Sequence, residues 1–289
     1  MMNGAVLFSP MKLGEIEMKN RILTITIILT TILFSCNEQK PKQSGKLSAD
    51  GQSSAVAGNP APALSAGGSG SGLDREEISS LSRNLKTLDP GLPTIGILMF
   101  DQVLMTELTA PMDVFSKHSE DGKQLFNVIA IAEDYNLYTS EEGLKMFPDY
   151  TLANAPDLDI LIVPSAYDMT LQTANKNIVG FIREQNNNTD YTVSNCAGAT
   201  LIGESGIADG RKIVTWIGGG TDLQKNYPNL KVQDDSKISF IEDGKFMSSN
   251  GNLATYISSL ELLEKLTSQE HRKFVESHLY LDRLQEWKK

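Results

Sequence analysis

The stretch Tyr191-Thr192-Val193-Ser194-Asn195-Cys196-Ala197-Gly198-Ala199-Thr200-Leu201-Ile202-Gly203-Glu204-Ser205-Gly206 constrains the fold more than any other. Its first residues are aromatic or β-branched, which suits a strand. Its second half sets Ala199, Leu201 and Ile202 as apolar helix residues and reaches Gly206, a residue type that stops helices. Cys196 stands at the junction, with the small residues Ser194 and Gly198 two positions to either side. A sharp strand-to-helix turn needs small neighbours there, because bulky ones would clash. At a helix start the thiol faces the positive end of the dipole, which predicts a lowered thiol pKa. The next N–H groups, of Ala197 and Gly198, have no intrahelical acceptor and are free to donate to an oxyanion. From these residues alone two readings of Cys196 stand side by side. One is an activated nucleophile at an elbow. The other is a small buried hydrophobe, since free cysteine is among the most buried residue types.

The pattern around the elbow is that of an α/β domain. Residues 94–100 and 159–163 are apolar runs, as in strands buried on both faces. Residues 124–133 read as a further strand. Residues 107–117, 178–185, 253–266 and 271–280 read as helices. Hairpins are expected at Glu142-Gly143 and at Asp243-Gly244, the second joining 238–242 to 245–249. Strands alternating with helices imply a mainly parallel sheet with helices on both faces. Ligands in such sheets bind at the carboxyl ends of strands, where Cys196 falls.

The residues before this domain have another character. Residues 1–17 precede a second start at Met18 and read as an upstream extension. Lys19 and Arg21 form a basic segment ahead of the apolar run 22–33, which is short for a membrane span. Leu33-Phe34-Ser35-Cys36 resembles a bacterial lipobox, which implies a signal peptide over 18–36 and lipidation of Cys36; an uncleaved anchor is the other reading. Residues 37–89, with Pro41, Pro60, Pro62 and the run Gly67-Gly68-Ser69-Gly70-Ser71-Gly72, read as a disordered linker with at most a short helix over 75–86. The expected location is therefore the bacterial cell envelope, with the domain lipid-anchored to a membrane on the exported side. The net charge of −10 argues against a nucleic-acid partner, because binding phosphates needs a basic surface.

Three segments together carry a family resemblance. Val193-Ser194-Asn195-Cys196-Ala197-Gly198-Ala199, followed by Gly206-Ile207-Ala208-Asp209-Gly210-Arg211-Lys212, resembles the nucleophile region of the ThiJ/PfpI family, within the class I glutamine amidotransferase-like superfamily. Ile95-Gly96-Ile97-Leu98-Met99-Phe100-Asp101, with Glu107-Leu108-Thr109-Ala110-Pro111-Met112-Asp113-Val114-Phe115, is similar to the opening strand and helix of its isonitrile hydratase-like branch. Leu158-Asp159-Ile160-Leu161-Ile162-Val163-Pro164 resembles the family's central strand. The resemblance implies a flavodoxin-like three-layer sandwich, with the strand–nucleophile–helix elbow, over 93–289.

The resemblance also implies site roles. Cys196 would be the nucleophile and Glu107 the carboxyl that faces it, holding and donating a proton. One oxyanion donor would be the Ala197 N–H, and another would come from the loop Pro164-Ser165-Ala166-Tyr167, through Ser165 or Ala166. That loop often carries consecutive glycines in the family. The residue at the Ala197 position is often threonine in hydratase-like members. Many members carry a histidine where Trp216 stands; Trp216 and Asn195 are read as pocket residues. His118, His271 and His278 read as surface or packing residues. The acidic pairs Glu141-Glu142 and Asp234-Asp235 read as solvated turns, and Gly218-Gly219-Gly220 as a turn. Neither a metal nor a cofactor is expected. Two functions follow. The first is a cysteine-dependent hydratase, hydrolase or lyase on a small electrophile such as an isonitrile or α-oxoaldehyde. The second is a small-molecule binding or redox and stress-sensing domain without catalysis. A homodimer is expected from the resemblance.

Overall fold

The structure is a computed structural model and describes residues 74–82, 86–281 and 283. The extension, the signal segment with Cys36 and most of the linker lie outside the described residues. Along the chain come α1 (Arg75–Ser82), β1 (Thr94–Leu98), α2 (Met105–Phe115), β2 (Asn127–Ala132), β3 (Tyr138–Thr139), β4 (Lys145–Met146), β5 (Tyr150–Thr151) and β6 (Ile160–Val163). Then follow α3 (Thr170–Ala174), α4 (Lys176–Gln185), β7 (Tyr191–Asn195), α5 (Gly198–Ser205), β8 (Lys212–Ile213), α6 (Gly220–Asn226) and β9 (Lys231–Val232). The last elements are β10 (Phe240–Asp243), β11 (Phe246–Ser249), α7 (Ala254–Leu266) and α8 (Gln269–His278).

Seven strands form the central sheet in the order β10-β11-β7-β6-β1-β2-β5. All neighbours pair in parallel except β10 with β11. The apolar runs explain the middle of the sheet: every residue of β1, β2 and β6 is buried, as parallel strands covered on both faces require. The helices fall into two packed groups, α2 with α7 and α8, and α3 with α4, α5 and α6. The architecture is the mainly parallel three-layer α/β sandwich expected.

Both expected hairpins are present, β3 with β4 and β10 with β11. Four short features were not anticipated: the edge strand β5, α3, α6, and the small parallel pair β8–β9. The glycine run before α6 shows why. Asp235 accepts hydrogen bonds from the Gly218 N–H (3.0 Å) and the Gly220 N–H (2.6 Å), so a carboxylate fifteen residues downstream caps the helix start. Asp235 is thus a structural acceptor and not a solvated turn residue. The same correction applies to Glu142, whose Oε2 accepts from the Met105 N–H (3.0 Å) at the start of α2. Its neighbour Glu141 accepts from the Tyr167 N–H at 3.2 Å.

The end of the expected linker is joined to the domain. Lys86 Nζ donates to the Val128 carbonyl (2.7 Å), and the Asp89 N–H donates to Asn127 Oδ1 (3.0 Å). On the other side α8 buries Val275 against the core, so the domain extends beyond α7. Leu262 on α7 is fully buried. Leu262→Ala is expected to lower unfolding free energy by about 2–5 kcal/mol, read from the midpoint of urea unfolding.

Candidate active site

Three carboxyl-end loops meet in one place. Helix α2 follows β1 and brings Glu107; the segment after β6 brings Ser165; the end of β7 brings Cys196. This is the edge where open α/β sheets bind ligands.

Cys196 has φ +51°, a left-handed conformation that is costly for a residue with a Cβ. Its surroundings hold that geometry. The Cys196 N–H donates to the Ser249 carbonyl (2.9 Å), and the Thr215 hydroxyl donates to the Cys196 carbonyl (2.8 Å). One residue on, the Thr200 hydroxyl donates to the Ala197 carbonyl (2.6 Å). Gly198 lies so close to the Val163 and Pro164 carbonyls that a side chain there would overlap them. The expected elbow is therefore present, and its small-residue requirement has a specific cause. Helix α5 ends at Gly206, which adopts the left-handed C-cap at φ +69°.

Glu107 is fully buried. Both of its carboxyl oxygens are held by backbone donors: Oε2 accepts from the Ser165 N–H (2.8 Å) and Oε1 from the Asn252 N–H (3.2 Å). Gly251 closes the arrangement. Its φ is +84°, and a Cβ there would overlap both Glu107 Oε1 and Cys196 Cβ. The carboxyl and the thiol thus face one another beneath this glycine. The buried Ser165 hydroxyl acts on both groups but makes no aligned hydrogen bond to either.

The electrostatics depart from the expectation of an acidic thiol. Burial pushes Cys196 up from 9.0 to about 11, and the negative charge of Glu107 adds to that effect. The Ser165 hydroxyl and the Ala197 N–H at the helix start pull the other way and are outweighed. Glu107 is also raised above the ordinary carboxyl value by burial, against the pull of Ser165, Asn252 and Cys196. The pair resists carrying two negative charges in one buried space.

The expected oxyanion donors are reassigned. The Ser165 N–H is committed to Glu107, and the Ala166 N–H donates to Met169 Sδ at 3.0 Å. Of the three residues expected to donate, Ala197 keeps its N–H directed at the sulfur. Asn195 is not in the pocket. It is 1% exposed, and its Oδ1 accepts from the Ser249 and Ser258 hydroxyls in the interior. These two hydroxyls, on β11 and α7, hold the side chain inward, away from the cavity.

The cavity above Cys196 has a volume of about 660 Å³. Trp216 lines it, as expected, together with Ala166, Met169, Ala197, Asn250 and Asn252. Three further lining residues were not anticipated: Tyr167, Ile217 and Leu253, exposed by 80%, 72% and 77%. Tyr167 and Ile217 are isolated apolar residues in loops, with no periodicity to place them, whereas Leu253, expected on the apolar face of a helix over 253–266, instead stands just before α7 and is exposed. Among the described residues, no Asp, Glu, Lys, Arg or His lines the cavity. Among the described residues, no group of three or more His, Cys, Asp or Glu side chains is placed to hold a metal ion.

With this geometry the comparisons with known proteins agree. The DJ-1/PfpI family model matches residues 93–265, and the chain belongs to that family. An isonitrile hydratase of Pseudomonas putida is 27% identical over 186 residues, covering 64% of this chain and 77% of the relative. The HTH-type transcriptional regulator GbdR of Pseudomonas aeruginosa is 20% identical over 195 residues; 65% of this chain matches 51% of that protein, about half its length. Among solved structures, a ThiJ/PfpI family protein from Pseudomonas syringae superposes with a TM-score of 0.59 at 19% identity, over 68% of this chain and 82% of that one.

The raised thiol sets a testable pH dependence. A group with a higher pKa folded than unfolded contributes stability that is full below the unfolded value and is lost as pH rises through the folded one. Wild-type stability should therefore fall more steeply between pH 9 and about pH 11 than that of Cys196→Ser, measured by urea unfolding at each pH.

Proposed function

We propose that this domain is a cysteine-dependent enzyme acting on a small, uncharged electrophile of the isonitrile or α-oxoaldehyde type. The observation that carries this reading is the Glu107 carboxyl, buried, fixed through both oxygens and facing the Cys196 thiol. A thiol with a raised pKa needs a base at the moment of attack. Trp216 stands where many family members carry a histidine, and Glu107 supplies the proton acceptor in its place.

With an isonitrile, the Cys196 sulfur adds to the terminal carbon. The thiol proton reaches that carbon by way of Glu107, leaving a thioimidate on the enzyme. Water then adds to the thioimidate carbon, one of its protons going to the nitrogen and the other to Glu107; Glu107 returns that proton to the sulfur as the carbon–sulfur bond breaks, giving an N-substituted formamide and the free thiol. The absence of charged side chains in the cavity lining suits a neutral substrate. Wild-type protein incubated with an alkyl isonitrile should yield the formamide by mass spectrometry. Cys196→Ser should yield none, and Glu107→Gln should be slower by roughly 10²-fold or more. A wild-type protein that converts neither an isonitrile nor an α-oxoaldehyde overturns the reading.

One observation favours the second reading, a binding or redox and stress-sensing domain. The Ser165 and Ala166 amides are both engaged, which leaves a reduced oxyanion site. Ligand binding without turnover would identify that case.

The proposal includes lipidation of Cys36, which follows a small residue and a short apolar run, and with it a membrane-tethered domain on the exported side of a bacterial cell envelope. Cys36→Ser should abolish fatty-acid labelling of the protein and block signal cleavage, so that it runs larger than wild type on a gel. It also includes a homodimer, to be read from sedimentation.

A further inference from the structure

Asn195 sits one residue before the strained Cys196, on the side of β7 turned away from the cavity. Its Oδ1 accepts from the Ser249 hydroxyl on β11 (2.7 Å) and from the Ser258 hydroxyl on α7 (3.0 Å). The Ser258 proton is shared with the Thr255 carbonyl, also at 3.0 Å, so the firmer link is to Ser249. That same Ser249 oxygen accepts the Gly251 N–H at 3.2 Å. Gly251 packs on both Cys196 and Glu107, and the next residue, Asn252, donates its N–H to Glu107 Oε1. Residues 251 and 252 both have positive φ, +84° and +50°, so this segment needs external support to keep its path. A continuous chain of contacts therefore runs from Asn195 through Ser249 and residues 251–252 to the Glu107 carboxyl.

A second observation points the same way. Asn195 Nδ2 is buried without a partner. A buried amide N–H₂ left unpaired costs stability, so packing alone gives no reason for asparagine here. The reason lies in what its oxygen holds.

We infer that Asn195 is a positioning residue, which sets the separation of the Cys196 thiol from the Glu107 carboxyl through Ser249 and the 251–252 segment. The inference rests on reading Cys196 and Glu107 as a reacting pair, but its test reads the thiol itself and not turnover. Glu107 from α2 is the ionisable group facing Cys196; Ser165, Ala197, Thr215, Ser249 and Gly251, which pack around it from the other elements, carry no titratable side chain.

The experiment is iodoacetamide alkylation of the full chain across pH, with Cys196 followed at the peptide level by mass spectrometry. Removing the support should loosen the 251–252 segment, admit water and weaken the hold of Glu107 on the thiol. Asn195→Ala and Ser249→Ala should each lower the alkylation midpoint by about one pH unit. Asn195→Asp keeps the acceptor oxygen and should not lower it. In a Glu107→Gln background, Asn195→Ala should shift the midpoint by less than half as much as in wild type. A folded Asn195→Ala protein with an unchanged midpoint, or an equal shift in the Glu107→Gln background, would overturn the inference. If Asn195→Ala does not fold, Ser249→Ala decides by the same two criteria. Loss of isonitrile turnover as a reading, with the shifts as expected, would leave the positioning role standing.

Discussion

A carboxyl group with no exposed surface organises the functional edge of this protein. Taking Glu107 out of water is costly whichever protonation state it adopts, and two backbone amides from different loops offset that cost. Those amides belong to Ser165, after β6, and Asn252, after β11, while Glu107 itself rides on the helix after β1. One side chain thus ties two loops that are distant in the chain to the helix that carries it. The link to Ser165 is reciprocal, since the Ser165 carbonyl accepts the Leu104 N–H at the start of α2 (2.8 Å). The cysteine elbow then has a rigid wall to face.

The same carboxyl changes the chemistry expected of the elbow. A helix start alone acidifies a thiol, and the Ala197 amide does act in that sense. Here burial and a neighbouring acid are stronger. The balance favours a thiol held beside a carboxyl over a standing thiolate. In the reaction we propose, proton transfer is then coupled to attack, which suits a substrate that must gain a proton as it reacts.

The elbow was legible because its requirements are local: β-branched residues, small neighbours, a glycine stop. The central strands were legible because a strand buried on both faces is a continuous apolar run, as in β6. Cys196 and Glu107 were legible as a pair through the family resemblance, and the structure brings them together. What local pattern misses is partner choice over distance. Asp235 capping Gly220, Glu142 capping α2 and the engagement of the Ser165 and Ala166 amides all depend on folds of the chain that no short window contains. Asn195 was misplaced for a related reason. The Ser249 and Ser258 hydroxyls that hold its side chain inward lie 54 and 63 residues further along the chain.

The ends of the central sheet carry a consequence for assembly. On one side the sheet stops at β5, two residues long. On the other it stops at the antiparallel strand β10, where Asp243 accepts the Lys212 N–H (2.8 Å) and lies within 3.4 Å of Arg211. Glu242 of the same strand pairs with Lys265 at 3.0 Å. Short edges and charged, side-bonded edges are poor templates for strand addition. Among the described residues neither border offers a long bare ladder for another chain to extend, so cross-β growth from the native sheet is disfavoured at both borders.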